Sequence, residues 1–297
     1  MSIRRIAAIA GVELRHAWRR PLWIVLAVVM LLAAWGFVAG GLTVAVGSQA
    51  AAGERAWINS QFNMSIGVAV LYSMVYAFWF AIGAGMPLID DDSSRVGPVL
   101  HATPLTAREY VWGRFLGVFG VILLLVAVNV AAYMFFFELY PIDEPDKARG
   151  PFQVLNYLWV FALFALPSTI FFAGTSFSVG ALTRRPVLVF VLPVAALLAC
   201  LFFVWTFSPR WLPDGVDRLL QAIDPAGVRW LTSEHLRERR PIAYYNHEPI
   251  RPDWLFGLSR AAFAAIGLAG VAWTARREAR LVRGVAATGD PKALLAA

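Results

Sequence analysis

The chain has a single cysteine, Cys200, and it lies inside an apolar run. No intramolecular disulfide can form, no cysteine-based metal site can be built, and the redox compartment stays open. The four histidines, His16, His101, His235 and His247, are isolated in polar connections. No HExxH places two of them on one helical face, so no metal is expected. GxxxxGK[ST] is absent as well, which excludes nucleotide binding of that kind by this chain alone. Charge is scarce: Asp, Glu, Lys and Arg make up 15% of the residues, against about a quarter in soluble domains. No internal repeat is evident.

What is present is apolar sequence. Apolar residues form 59% of the 297, and the mean hydropathy is +0.63, values of an integral membrane protein, and its long spanning runs make the expected fold class all-α. Six runs are long enough to span a bilayer: 23–46, 64–88, 111–136, 154–179, 187–207 and 254–273. The first is much longer than the roughly 7 to 15 residues of a signal-peptide core. Pro167 in the fourth run and Pro193 in the fifth mark kinks, and hydroxyls such as Ser168 and Thr169 can satisfy the carbonyls freed there.

Ionisable residues at membrane depth are few, which disfavours proton or ion relays. Arg260, six residues inside the sixth run, is expected to snorkel outward. Asn129 in the third run is read as an interhelical hydrogen bond. No paired catalytic groups lie in the spans, so an intramembrane enzyme is a poor reading.

The polar connections set the orientation. With six spans both termini share one side, which receives fifteen basic residues against seven acids. By the positive-inside rule that side is cytoplasmic, in the cell inner (plasma) membrane. Ahead of the first span, residues 1–20 place Ile3, Ile6, Ile9 and neighbouring apolar residues on one helical face, with Arg15, Arg19 and Arg20 among the basic residues of the segment. Such a helix lies on an anionic lipid surface.

On the opposite side, the long segment 208–253 carries seven arginines and seven carboxylates. Asp214 is expected to cap a short helix through Ile223 there, and Asp253 to cap the last span; Trp211 and Trp230 have the shape that sits at headgroup level. Arg237, Arg239 and Arg240 form a small basic cluster, read as a solvated loop paired with its own glutamates, with a lipid-headgroup contact as the alternative. Residues 1–284 are read as one membrane domain and 285–297 as a disordered tail.

The most distinctive stretch is a polar island between the second and third runs, IDDDSSRVGPVLHATPLTAREYVWG from Ile89 to Gly113. Three carboxylates, Asp90 to Asp92, open it, and Gly97-Pro98 and Thr103-Pro104 break it. Thr106-Ala107-Arg108-Glu109 reads as a capping box, so a helix is expected to start at Ala107. A short helix lies between the aspartates and Thr103 on this reading.

With the basic leader Glu13 to Trp23, this island resembles the permease subunit of type-2 ABC exporters. Thr103-Pro104-Leu105-Thr106, Tyr110, Gly113 and Arg114 fit that family's Thr-Pro-hydrophobic-Ser/Thr step and its aromatic-x-x-Gly-Lys/Arg start of the third span, and Asp90 or Asp91 its loop aspartate. Arg95-Val96 and Pro98 depart from the family's Gly-Thr and glutamate. Asn59-Ser60, Gly150-Pro151-Phe152, Leu166-Pro167 and Asp224-Pro225 are similar to the subgroup fused to, or encoded beside, a zinc aminopeptidase. No peptidase domain is present.

The resemblance implies six spans with an amphipathic elbow helix and a cytoplasmic coupling helix. It implies a homodimer, or pairing with a homologous permease, and a separate ABC ATPase that carries the ATP and magnesium; this chain would hold no cofactor of its own. Asp91, Asp92, Arg95, Leu100, His101, Thr103, Pro104, Leu105, Thr106, Arg108 and Glu109 would form the ATPase-coupling segment, and Arg15, Arg19 and Arg20 the membrane-surface contacts. Neither catalysis nor a nucleic-acid partner is expected. A non-transporting scaffold or assembly subunit of an envelope complex is the alternative reading.

The orientation is checked by cysteine labelling in a background with Cys200 replaced. Cysteines at Ser93 and Thr183 are expected to be shielded from an impermeant thiol reagent in intact cells, and one at Asp146 to react. The converse pattern would invert the arrangement.

Overall fold

The computed structural model describes residues 2–17, 19–42, 56–93, 105–142, 148–209, 211–237 and 240–288. All regular structure among the described residues is helical. Helix α1 covers Ile3–Ala17. It is followed by α2 (Pro21–Val38), α3 (Gln61–Asp91), α4 (Ala107–Leu139), α5 (Val154–Thr183) and α6 (Pro186–Val204). Three short helices come next, α7 (Asp214–Ile223), α8 (Val228–Leu231) and α9 (Ile242–His247). The last, α10, covers Trp254–Thr288, and so continues four residues past the expected domain boundary. Helices α2 to α6 and α10 are long and apolar enough to cross a membrane, and each overlaps one of the six expected runs, although α2 ends at Val38 rather than 46 and α10 continues past 273.

Local chemistry explains the ends. Helices α2 and α6 begin on Pro21 and Pro186, whose missing N–H is no loss in a first turn. In α4 the capping box forms: Thr106 Oγ1 accepts from the Glu109 N–H at 3.3 Å, and Glu109 Oε2 accepts from the Thr106 N–H at 3.1 Å. Asp253 caps α10 by accepting from the Phe256 N–H at 3.0 Å. For α7 the cap position is Pro213, and Asp214 stands one place later in the first turn, where its charge still suits the helix dipole.

Helices α4 and α5 occupy the centre. The first packs on α1, α2 and α10, the second on α3, α6 and α10, while α2 and α6 are largely exposed along their lengths. Helices α5 and α10 meet backbone to backbone: a Cβ on Gly174 would lie 2.4 Å from the Gly267 carbonyl oxygen. Small residues permit this close approach between apolar helices, where dispersion rather than water exclusion holds the pair. Asn129 on α4 makes the expected interhelical bonds, accepting from the Tyr72 hydroxyl at 2.9 Å and donating to the Met30 carbonyl at 3.0 Å.

Three spans contain a π-turn, at Leu71–Val75 in α3, Phe161–Ala165 in α5 and Cys200–Val204 in α6. The α5 turn leads directly to Pro167. Ser168 and Thr169 donate to the carbonyls of Phe164 and Ala165 at 3.0 and 2.7 Å, one turn back on their own helix, and not to the Leu163 carbonyl that Pro167 leaves without its usual donor.

Two expectations fail where the 208–253 segment meets the last span, for one reason: part of the segment folds back into the bundle. Arg260 does not snorkel. It is 5% exposed, donates to the carbonyls of Asp224 and Pro225, the latter at 2.7 Å, and lies over the rings of Phe256 and Phe263. A tight turn at Gly227, whose φ is 77°, brings those carbonyls inward and replaces the water that snorkelling would seek. Trp230 is likewise not at headgroup level but 2% exposed, with its ring centroid 4.1 Å from that of Phe256. Arg240, from the basic cluster, lies over the Tyr244 ring at 4.4 Å.

His235 stands in the same packing, 5.2 Å from the Phe62 ring and 5.1 Å from Trp230, with Nδ1 2.8 Å from the Tyr244 hydroxyl. Burial first, and the Arg240 charge second, push its pKa from 6.5 down to about 4, against a smaller opposing pull from Asp253. The folded form therefore keeps His235 neutral where the unfolded chain would protonate it. Stability linked to this residue is fully present above pH 6.5 and is lost as pH falls toward 4. Melting in detergent across that window should show the loss, and His235→Gln should flatten it; an unchanged pH profile would remove His235 from the account.

Candidate functional site

The sequence island begins inside a helix. Backbone helix continues through the aspartates to Ser93. The Asp91 carboxylate is met by a cation from the next span. Arg114 Nε donates to Asp91 Oδ2 at 2.8 Å, and its NH2 group donates to Asp91 Oδ1. Tyr110, one turn earlier on α4, donates its hydroxyl to the same carboxylate. The remaining NH1 of Arg114 reaches Glu13 of α1, a residue 3% exposed. Arg20 approaches Glu13 from the other side at 3.5 Å. One guanidinium thus joins three elements: the leader helix, the end of α3 and the start of α4.

The leader can come this close because α4 presents Gly113 and Gly117 one turn apart. A Cβ on Gly113 would lie 2.7 Å from Ile9 Cβ, and one on Gly117 would lie 2.6 Å from Glu13 Cβ and 3.0 Å from the Ala10 carbonyl oxygen. The Tyr110-x-x-Gly113-Arg114 motif therefore has a physical content: two side chains hold the aspartate and the glycine seats α1. A second tie lies at the capping box, where Glu109 also accepts from the Ser2 N–H and pairs with Arg5 at 3.5 Å. The neighbouring span ends are fixed by Arg184, which donates to the Leu88 carbonyl at 3.0 Å and to Glu278 at 2.9 Å.

Against this geometry the expected site residues divide. Asp91 faces inward onto Arg114 and Tyr110, and Glu109 inward onto the start of the leader, so both carboxylates are engaged within the chain. Thr106 is the helix cap, Leu105 is half-buried, and Arg108 is exposed. Arg95, Leu100, His101, Thr103 and Pro104 lie outside the described residues, as does the side chain of Asp92, and with them the expected coupling helix. Of the membrane-surface residues, Arg15 and Arg19 are exposed and Arg20 is turned toward Glu13.

The sequence profile of the ABC-2 family transporter proteins matches residues 54–223, more than half of the chain. The chain belongs to that family. It is the membrane-spanning subunit of a type-2 ABC transporter, and family members of this kind generally pair with an ABC ATPase. The match runs from the approach to α3 through α7 and so includes the island and both of its flanking spans. A comparison with curated proteins gives no match.

Sequence reasoning passed over Glu13, although it is the only acid among the first twenty residues. A lone carboxylate on an otherwise basic helix was the available signal. The opposite end of the permease is also held by arginines that sequence reasoning left unassigned. Arg149 donates to the Phe137 and Tyr140 carbonyls at the end of α4, and Arg229 to those of Val204 and Phe207 at the end of α6. Beside them a cleft of 260 Å³ is lined by Trp57, Asn156, Asn246 and Glu248 among others.

Gly117→Leu tests the seat of α1. Overpacking of this kind costs typically 1 to 3 kcal/mol, and here the strain is released by lifting the leader from α4. Trypsin should then cut at Arg15 and Arg19 much faster than in the unaltered permease, with the spans still inserted. Equal cutting rates would show that α1 is not seated on this glycine.

Proposed function

We propose that this permease couples a separate ABC ATPase to export, or to mechanical work, across the inner (plasma) membrane, with both termini cytoplasmic. The observation that carries the reading is the Arg114 linkage. The chain that joins α3 to α4 starts at a carboxylate and returns at a capping box, and both are tied to the same surface helix. A push on residues 94–104 is then delivered to two spans and the leader together. Coupling requires contacts that differ between two states of a body stiff enough to move as one, which a freely hinged connector cannot supply.

On this reading Leu100, His101 and Leu105 meet the ATPase, with Asp92, Arg95, Thr103, Pro104 and Arg108 around them, while Asp91, Thr106 and Glu109 position the segment. ATP and magnesium belong to the partner, so the purified chain alone should hydrolyse no ATP. The exposed arginines Arg15 and Arg19 face lipid headgroups. Two copies, or one copy with a homologous permease, complete the membrane unit. The Asn59-Ser60 and Asp224-Pro225 similarities favour a place beside an aminopeptidase. Within the permease both residues have structural tasks: Asn59 bridges to Glu138 at 3.1 Å and to the Gly150 carbonyl at 2.9 Å, and Asp224 accepts from two backbone N–H groups of its own turn.

Leu100→Asp tests the coupling segment. A charge placed in a docked apolar contact costs several kcal/mol, so the variant should insert and fold yet lose its ATPase on copurification. Thr106→Ala removes one capping bond, worth about 1 kcal/mol, and should keep the partner. If Leu100→Asp retains the ATPase as well as the unaltered chain does, the segment is a connector and the scaffold reading gains.

A further inference from the structure

One polar cluster in the permease stands apart from both ends and from the coupling segment. On α3, Tyr72 lies within the π-turn Leu71–Val75 and Tyr76 directly follows it, their rings 5.0 Å apart. Tyr72 also packs at 5.6 Å on Phe161, which opens the π-turn of α5, and Phe161 packs at 5.3 Å on Tyr133 of α4. The two π-turns therefore face each other across these rings. The Tyr72 hydroxyl is bonded to Asn129, which in turn reaches the Met30 carbonyl on α2. Four spans meet at this point.

The hydroxyls of Tyr76 and Tyr133 differ from that of Tyr72. Both side chains are buried, at 0% and 1% exposure, and neither hydroxyl has a hydrogen-bond partner among the described residues. Tyr72, Tyr76 and Tyr133 lie within electrostatic reach of one another. A hydroxyl left dry and unpaired costs about 1 to 3 kcal/mol, and native proteins usually meet such a need with ordered water that makes two to four bonds. The cluster contains that number of candidate partners: the two unpartnered hydroxyls, the second lone pair of the Tyr72 oxygen and that of Asn129 Oδ1. π-Turns also recur at functional positions in helices, since the widened turn disturbs the backbone ladder.

We propose that this node binds ordered water inside the membrane bundle, held between the hydroxyls of Tyr76 and Tyr133 and the Tyr72–Asn129 pair. The site takes a small hydrogen-bonding molecule and excludes lipid. It is independent of the coupling reading, because nothing in it depends on an ATPase.

Two measurements on the full chain in lipid nanodiscs test it. In X-ray hydroxyl-radical footprinting, radicals formed from bound water oxidise the side chains around it. Tyr76 and Tyr133, normalised for intrinsic reactivity, should be labelled well above Phe115 and Phe177, which are as deeply buried elsewhere in the bundle. In thermal melting, Tyr76→Phe and Tyr133→Phe should each lower the midpoint, because the water loses a partner. A dry node gives the opposite sign, since removing an unpaired hydroxyl relieves its cost and raises the midpoint. Labelling no greater than that of Phe115 and Phe177 overturns the proposal, and so does a midpoint that stays unchanged or rises.

Discussion

The elbow end of this permease depends on one guanidinium. Arg114 holds Asp91 with two of its nitrogens and Glu13 with the third. Buried ion pairs add little net stability when complete, because desolvation offsets attraction, but a pair broken on one side leaves an uncompensated charge at a cost of about 3 to 5 kcal/mol. The arrangement is therefore closer to a latch than to a glue. Removing Arg114 leaves both carboxylates without it, so the leader helix, the end of α3 and the start of α4 are constrained to one mutual geometry through this side chain. Arginine suits this position because its fork keeps two carboxylates at fixed angles, which a lysine ammonium cannot do.

Elsewhere the bundle is held by contact rather than charge. Gly174 against Gly267, and Gly180 against Gly85, bring α5 within backbone distance of α10 and α3. Such crossings resist sliding. At the end opposite the elbow, Arg149, Arg229 and Arg260 terminate helices and a turn by taking up carbonyls. Cations at helix C-termini are favoured by the dipole, and here they also let the 208–253 segment fold onto the spans instead of standing in water. The permease thus has two ends built from arginine, with different tasks: one cross-links elements and the other closes them.

Much of this was legible from residues. The six spans follow from hydropathy, the start of α4 from Thr106 and Glu109, the cap of α10 from Asp253, and the interhelical role of Asn129 from its isolation in an apolar run. What escaped has a common cause. Arg260 and Trp230 read as interface residues because hydropathy treats the 208–253 segment as external; only the turn at Gly227 brings it inward. Glu13 carried no assignment and Asp91 read as a coupling residue, because Arg114, which holds both, is distant from Glu13 in sequence. Periodicity carries local geometry, while an ion pair across three helices requires the packing first. The π-turn in α3 has no proline to announce it, unlike the one that precedes Pro167. For the coupling segment itself, the residues at 94–104 speak only through the family resemblance.

The central claim is that Glu13, Arg114 and Asp91 act as one unit joining α1 to both spans. A double-mutant cycle on Glu13→Gln and Asp91→Asn, read as thermal or denaturant stability in detergent, addresses it directly, since these two carboxylates share Arg114 and are linked through it. Residues in one ion network show interaction energies of about 0.5 to 3 kcal/mol, whereas independent sites add within about 0.5 kcal/mol. The account predicts a coupling clearly inside the first range that vanishes in an Arg114→Gln background. Additive losses in the Arg114 background would contradict it.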